Sequence, residues 1–200
     1  MRLLSLLKNE LLKLVNKYES IKMIIDSQLV EWIRGDAIWK TIKKNRTMNE
    51  MEYNFSTRYR VGITRSQWSS IFGEEVVQSI IRQLGGEILS IHPRVQGFNR
   101  HILDIETKNA YIEVKTRNYT TNGTAGEKIY GAPHKYRDVY MTTGKPLLVI
   151  LVGYQEQEAT NKMKLFTQET YSYRRFLWEE YRVKYIKCSE LLEGKHTHLL

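Results

Sequence analysis

Short segments in the middle of the chain alternate apolar with polar residues. In residues 111–116, Ile112 and Val114 take one set of alternate positions, and Glu113 and Lys115 take the other. A period of two predicts a strand with one apolar face and one polar face. Further short strands are predicted at 87–92, 101–106, 147–154 and 183–188.

Other segments repeat apolar residues at steps of three and four, which predicts helices. The clearest stripe runs along 71–84 and stops at Gly85, a residue type that favours helix termination. Further helices are predicted from about residue 124 and over 168–181. A helix, three strands, a helix and a strand in this order predict an α/β fold with a mixed central sheet flanked by helices.

The N-terminal part reads differently, because its helical pattern is followed by no strand. Residues 2–46 predict helices, with a candidate break at Gly35, and 48–64 look like a connector. The leucine stripe near the start fits either a helix packed on the protein's own core or a dimer contact. We therefore expect an N-terminal helical extension to the α/β fold.

Composition narrows the class of protein. The chain of 200 residues carries a formal net charge of +9, which favours polyanions such as nucleic acid. Its single cysteine excludes an intramolecular disulfide and favours a reducing compartment, so we expect a cytoplasmic protein. Charged residues interrupt the leucine-rich start, which therefore predicts no membrane span. The cysteine and five scattered histidines predict no zinc site, and no histidine has a Ser or Cys partner at catalytic spacing.

Chemistry is concentrated where two predicted strands form a hairpin. A turn over 107–110 pairs positions whose numbers sum to 217, so Asp104 lies opposite Glu113. Opposed carboxylates are about 4.5–5.5 Å apart at their Cβ atoms and repel each other unless a positive charge lies between them. Lys115 is on the same face, and a divalent cation would offset the remaining charge. An exposed hairpin with ordinary surface charges is the alternative interpretation.

The spacing of these residues resembles the signature of the PD-(D/E)xK nucleases. Asp104 is followed, after eight residues, by Glu113, Val114 and Lys115. Glu74 on the preceding helix precedes Gly85 by eleven residues, as in that family. The resemblance covers about 70–155, and it departs from the usual form because leucine replaces proline before the aspartate.

The resemblance implies a mechanism that depends on Mg²⁺. Asp104, Glu113 and the carbonyl of Val114 would hold one ion, and Glu74 would reach a second ion or a water on the first. Lys115 would orient or deprotonate the attacking water and stabilise charge on the phosphate. Residues 65–200 would form the nuclease domain, and 1–64 a helical region for DNA binding or dimerisation.

A second set of residues is expected to contact double-stranded DNA. Small and basic residues follow the hairpin, and arginines alternate with aromatic residues near the C-terminus. The predicted contacts are Arg117, Asn118, Lys128, Lys135, Arg137, Arg174 and Arg175. For the C-terminal arginines, a helix that buries its aromatic residues and leaves the arginines in water is the alternative.

The size and the helical extension look most like a type II restriction endonuclease, which usually acts as a homodimer on a palindrome. A subunit of a heterodimeric enzyme would have a similar size. Two further hypotheses stay open. One is a Holliday-junction resolvase, and the other is a DNA-binding protein that keeps the scaffold without catalysis.

Overall fold

A computed structural model describes residues 2–14, 29–35, 68–97, 100–117 and 125–200. The helices are α1 Arg2–Leu14, α2 Leu29–Arg34, α3 Trp68–Gln83, α4 Ala125–Lys135, α5 Val139–Thr143, α6 Tyr154–Asn161, α7 Tyr171–Tyr181 and α8 Cys188–Leu192, with a 3-10 turn at Thr197–Leu199. The strands are β1 Ile88–Ile91, β2 Arg94–Gln96, β3 Arg100–Ile102, β4 Ile105–Thr107, β5 Tyr111–Arg117, β6 Leu147–Gly153 and β7 Val183–Lys187.

Five strands form a mixed sheet in the order β1-β4-β5-β6-β7. The pairs β1–β4 and β4–β5 are antiparallel, whereas β5–β6 and β6–β7 are parallel. β2 and β3 pair with each other in a separate two-stranded sheet. The predicted α/β fold with a mixed sheet flanked by helices is confirmed.

Helix α3 packs unusually close to β5, because of a glycine. A Cβ atom added at Gly73 would overlap the side chain of Thr116 on the strand. Phe72, Val76 and Ile80 of the same helix are fully buried in the core. This close approach places the next residue of the helix, Glu74, beside the sheet.

Helix α1 belongs to the same core as the sheet. Leu7 and Leu11 are buried with Val76 and Ile80 of α3, and Glu10 accepts a hydrogen bond from Gln83 at 3.1 Å. Of the two interpretations of the leucine stripe, packing on the protein's own core is therefore correct for these residues. The predicted connector at 48–64 lies outside the described residues.

One predicted strand is wrong in its extent. Residues 101–106 form parts of β3 and β4, which are separated at Leu103 and Asp104. The Leu103 amide donates to the carbonyl of Pro93 at 3.1 Å, and the Asp104 carbonyl accepts from the His92 amide at 3.0 Å. At these two residues the chain passes from the two-stranded sheet, at the end of β3, into the five-stranded sheet, at the start of β4. Helices α5, α6 and α8 were not predicted.

Candidate active site: an acidic cluster beside a basic cleft

The hairpin of β4 and β5 has the predicted register. Ile105 pairs with Ile112 and Glu106 with Tyr111, so paired numbers sum to 217. Continuing this register sets Asp104 opposite Glu113, although Asp104 lies in the bend before β4. The Asp104 carboxylate accepts a hydrogen bond from the Val114 amide at 2.6 Å, which holds it against β5.

Glu113 is buried at 5% relative exposure, on the opposite face of β5 from Ile112 and Val114. Two donors converge on one of its oxygens: Oε1 accepts from the Tyr136 hydroxyl at 2.8 Å and from the Lys115 ammonium. The other oxygen, Oε2, is buried and has no hydrogen-bond partner among the residues that the structure describes. Buried carboxylate oxygens are normally satisfied, so this atom marks a place for a ligand.

Glu74 and His92 extend the cluster beyond the hairpin. His92 Nε2 lies 3.0 Å from Glu74 Oε2. Each of Glu74, His92 and Asp104 offers one oxygen or nitrogen atom within 4.8 Å of those of the other two. Three elements thus meet at one point: helix α3, the end of β1 and the bend before β4.

The carboxylates of this cluster repel each other in a partly dry site. Burial, together with the charges of Glu113 and Glu74, raises the pKa of Asp104 to about 8, against the lowering effect of the Val114 hydrogen bond and of Lys115. Burial likewise raises the pKa of Glu74, against the lowering effect of its hydrogen bond with His92. Burial and the neighbouring Glu113 and Asp104 carboxylates raise the pKa of Tyr136. Asp104 and Glu113 therefore both influence the Tyr136 hydroxyl and each other. A nearby positive charge would stabilise their ionised forms.

The Val114 carbonyl faces the edge of β5 on which Asp104 lies. In a strand, the amide and the carbonyl of one residue point to the same edge. Because the Val114 amide bonds to Asp104, its carbonyl also faces the Asp104 side, while its side chain is buried in the core. Of the predicted oxygen ligands, the Asp104 carboxylate therefore contacts the Val114 backbone, and Glu113 is near enough for its charge to raise the pKa of Asp104.

A cleft of about 420 Å³ opens next to this cluster. It is lined by Lys115, Lys128, Lys135, Tyr136 and small residues of α4. Lys128 and Lys135 are exposed residues of α4. The Lys135 ammonium lies 4.4 Å from the centre of the Tyr136 ring. The cleft thus combines three ammonium groups with the acidic cluster at its edge.

Arg117 is placed differently from the sequence prediction. It is buried at 8% relative exposure and forms an ion pair with Glu158, with its guanidinium 5.7 Å from the centre of the Tyr154 ring. This arrangement ties β5 to α6 and leaves little of the Arg117 side chain exposed, so the DNA contact predicted there stays a prediction that its burial does not favour. Asn118 lies outside the described residues.

The remaining predicted DNA contacts lie on the surface away from the cluster. Arg137 is exposed and donates to the His134 carbonyl at 3.4 Å. Arg175 is exposed and pairs with Glu179 at 2.6 Å. Arg174 donates to the Thr167 carbonyl at 3.1 Å.

Helix α7, which carries both arginines, fits neither simple interpretation. Its Tyr173 and Tyr181 pack against the core, whereas Tyr171 and Phe176 are exposed by 50% and 47%. The aromatic residues are therefore divided between the interior and the surface.

Two residues that contact the predicted site, Tyr136 and His92, were not predicted from the sequence. Tyr136 reaches Glu113 across 23 positions of the chain, and His92 reaches Glu74 across 18. No local sequence pattern predicts either contact. The only usable signal for His92 was its position at the end of a predicted strand that runs toward the hairpin.

Comparisons with protein-family models, with curated proteins and with solved structures returned no match in any of the three. The resemblance to the PD-(D/E)xK nucleases therefore depends on the residues of this chain alone. Within the described residues, no helix is both long and apolar enough to cross a membrane.

Proposed function

We propose that the protein is a divalent-cation-dependent endonuclease that hydrolyses phosphodiester bonds in double-stranded DNA at a short specific sequence, as type II restriction enzymes do. The observation that carries this proposal is the orphaned Oε2 atom of Glu113. Within the described part of the chain it has no hydrogen-bond partner, and the Glu113 charge helps to raise the pKa of a second carboxylate, Asp104. A buried oxygen without a partner calls for an explanation, and a bound cation would supply one.

The donor set fits Mg²⁺. Carboxylate oxygens of Asp104 and Glu113 and the carbonyl oxygen of Val114 are hard oxygen ligands, the type that Mg²⁺ prefers. When bound, the cation supplies Lewis-acid polarisation of the phosphate and lowers the pKa of water. The chain's own residues prepare this site, because Tyr136 and Lys115 donate to one Glu113 oxygen and leave the other without a donor among the described residues.

Lys115 is suited to a second role at the phosphate. Its ammonium lies between Glu113 and the cleft, where it can donate hydrogen bonds to a phosphate oxygen that carries developing charge. Its partner Glu113 keeps it oriented in the absence of substrate. Lysine at this point therefore stabilises the transition state more than the ground state.

The basic cleft supports binding of the DNA backbone. Lys128 and Lys135 extend from α4 toward solvent on the side of the cluster, and the whole chain carries a net charge of +9. Ammonium groups at this spacing neutralise phosphates and position the duplex without reading its sequence. Arg137, Arg174 and Arg175 are less direct candidates, because they lie outside the cleft.

A two-fold homodimer is the assembly that fits this activity best, since each site would then cut one strand of a palindrome. The alternative, a subunit of a heterodimer, fits the same monomer. A cytoplasmic location is supported by the single cysteine, Cys188, which is free and buried.

Digestion of a plasmid of known sequence tests the proposal. With Mg²⁺ we expect discrete fragments with 5′-phosphate and 3′-hydroxyl ends, and with a chelator we expect none. Lys115→Ala should abolish cutting, whereas Lys108→Ala, in the turn of the same hairpin and exposed, should not change it.

Three other results would redirect the assignment. Cleavage restricted to four-way junctions would favour a resolvase. DNA binding without cleavage in Mg²⁺ or Mn²⁺ would favour a non-catalytic DNA-binding protein. Neither binding nor cleavage of any DNA would overturn the proposal.

A further inference from the structure

The acidic cluster contains a ligand type that an all-oxygen Mg²⁺ site does not use. His92 turns its Nε2 atom toward Glu74 at 3.0 Å, at the edge of the cluster, with 59% of its side chain exposed. The backbone fixes this position, because the His92 amide donates to the Asp104 carbonyl at 3.0 Å. The backbone of His92 is therefore fixed beside Asp104, and the imidazole ring contacts Glu74.

The three side chains have the dimensions of a cation site. Their candidate ligand atoms all lie within 4.8 Å of one another. Atoms bound at about 2.1 Å from one ion in an octahedron are separated by about 3.0 to 4.2 Å, so only a small closure is needed.

A second observation, independent of these three residues, also indicates a cation. Glu113 is 5% exposed and acts electrostatically on both Glu74 and Asp104, and its Oε2 atom is without a hydrogen-bond donor in the described segments. The three carboxylates thus raise one another's need for a positive charge, and Lys115 is already engaged with Glu113 Oε1.

We propose that Glu74, His92 and Asp104 form a second divalent-cation site, in which the His92 imidazole is a direct ligand and favours a first-row transition ion such as Mn²⁺ over Mg²⁺. The inference rests on the proposed function, because the second ion would share Asp104 with the first. Mg²⁺ takes oxygen ligands and retains its waters, whereas transition ions accept imidazole nitrogen readily. The protein would therefore bind Mn²⁺ more tightly than Mg²⁺.

The test is binding and spectroscopy of Mn²⁺ on the full-length protein, in the absence of DNA. Pulsed electron paramagnetic resonance detects coupling between bound Mn²⁺ and a directly coordinated ¹⁴N nucleus. We expect this coupling in the wild-type protein, its loss in His92→Gln, and its retention in His198→Gln, a control at another exposed histidine. Mn²⁺ affinity should fall about tenfold or more in His92→Gln only, because even outer-sphere partners of a ligand contribute this much.

Several results would overturn the inference. These are Mn²⁺ bound without nitrogen coupling, coupling that persists in His92→Gln, or no binding of Mn²⁺ at all. Because the His92 side chain is largely exposed, the substitution should leave the fold intact, which circular dichroism checks. If it does not, the wild-type spectrum still decides, since a spectrum without nitrogen coupling excludes any histidine ligand.

This experiment separates the inference from the proposed function. Mg²⁺-dependent DNA cleavage together with nitrogen-free Mn²⁺ binding would remove the His92 site and leave the nuclease standing. Nitrogen coupling at His92 without cleavage of any DNA would do the reverse.

Discussion

Two buried glutamates of this protein, Glu113 and Glu156, differ in how their carboxylate oxygens are hydrogen-bonded. Glu156 on α6 is satisfied by one residue: its Oε2 accepts from the Ser189 amide at 3.0 Å and its Oε1 from the Ser189 hydroxyl at 2.5 Å. Glu113 on β5 receives both of its donors on Oε1, and its Oε2 is left without one in the parts of the chain that are described. Both side chains are about equally inaccessible, at 6% and 5%.

The difference is what we expect if Glu156 is a structural acid and Glu113 belongs to the proposed cation site. Glu156 joins α6 to the start of α8, and each of its oxygens has a local donor. The charge of Glu113 raises the pKa of two further carboxylates, Glu74 and Asp104. Burial alone does not distinguish the two glutamates, whereas the oxygen without a donor and the like charges around Glu113 are the features on which the proposed cation site rests.

The largest effect should appear in DNA cleavage. Asp104→Asn removes one of the proposed cation ligands and should lower the cleavage rate at least about 10²- to 10³-fold, the range for loss of one electrostatic group in an active site. Glu156→Gln should leave the rate within about twofold of wild type once the folded fraction is taken into account. Rates of plasmid linearisation compare the two variants. Equal losses in both would remove the distinction between the two acids.

Stability should respond in the opposite order. Glu156→Ala removes the acceptor of both Ser189 hydrogen bonds and leaves the buried Ser189 amide unsatisfied, so it should lower the free energy of unfolding by about 1–3 kcal/mol. Asp104→Asn removes repulsion with Glu113 and Glu74 and keeps an acceptor for the Val114 amide, so it should not destabilise the protein without cations. Urea unfolding of both variants in a chelator measures this. A loss in Asp104→Asn as large as in Glu156→Ala would contradict it.

The pH dependence of stability should distinguish the two acids further. In the folded state the pKa of Asp104 is raised from 3.8 to about 8, and that of Glu156 from 4.5 to about 6. Between these values the folded state binds more protons than the unfolded state, so stability falls as pH rises. For Glu156 the fall should be complete by about pH 6, and for Asp104 by about pH 8.

Unfolding without divalent cations, measured from pH 4 to 9, checks this sign. Asp104→Asn should flatten the curve above about pH 6, where Glu156 no longer contributes. A wild-type curve that rises between pH 6 and 8, and keeps its shape in Asp104→Asn, would be inconsistent with a raised Asp104 pKa.

A smaller effect should follow from the Tyr136 hydroxyl. Tyr136→Phe removes one donor to Glu113 Oε1 and leaves the ring in the core, so cleavage should fall by about tenfold or less, the value of one hydrogen bond. Tyr185→Phe is a matched control, because its buried hydroxyl donates to the Ile129 carbonyl instead. If both variants cut at the same rate as wild type, Tyr136 does not position Glu113.

The hairpin could be predicted because its information is local. The alternation of residues 111–116 fixes the faces of β5, and Thr107 closes the turn by bonding to Ala110 at 2.9 Å, so the register follows. The helix that carries Glu74 could likewise be predicted, from its apolar stripe and from Gly85, which follows the helix and has a φ of +84°. These elements contain most of the candidate site.

The remaining features depend on contacts between distant parts of the chain. Arg117 is buried against Glu158, 41 residues later in the chain, and no local pattern reveals this ion pair. The break at Leu103 depends on the carbonyl of Pro93, which no pattern of alternation reveals. Tyr136 and His92 enter the site in the same way, through packing of one element on another.

Calorimetric titration of Mg²⁺ and Mn²⁺ into the wild-type protein, Glu113→Gln and Glu156→Gln tests whether the acidic cluster is a cation site. We expect saturable binding in the wild type and in Glu156→Gln, and at least about tenfold weaker binding in Glu113→Gln. A wild-type protein that binds neither ion, or a Glu113→Gln variant that binds both as tightly as wild type, would contradict the assignment.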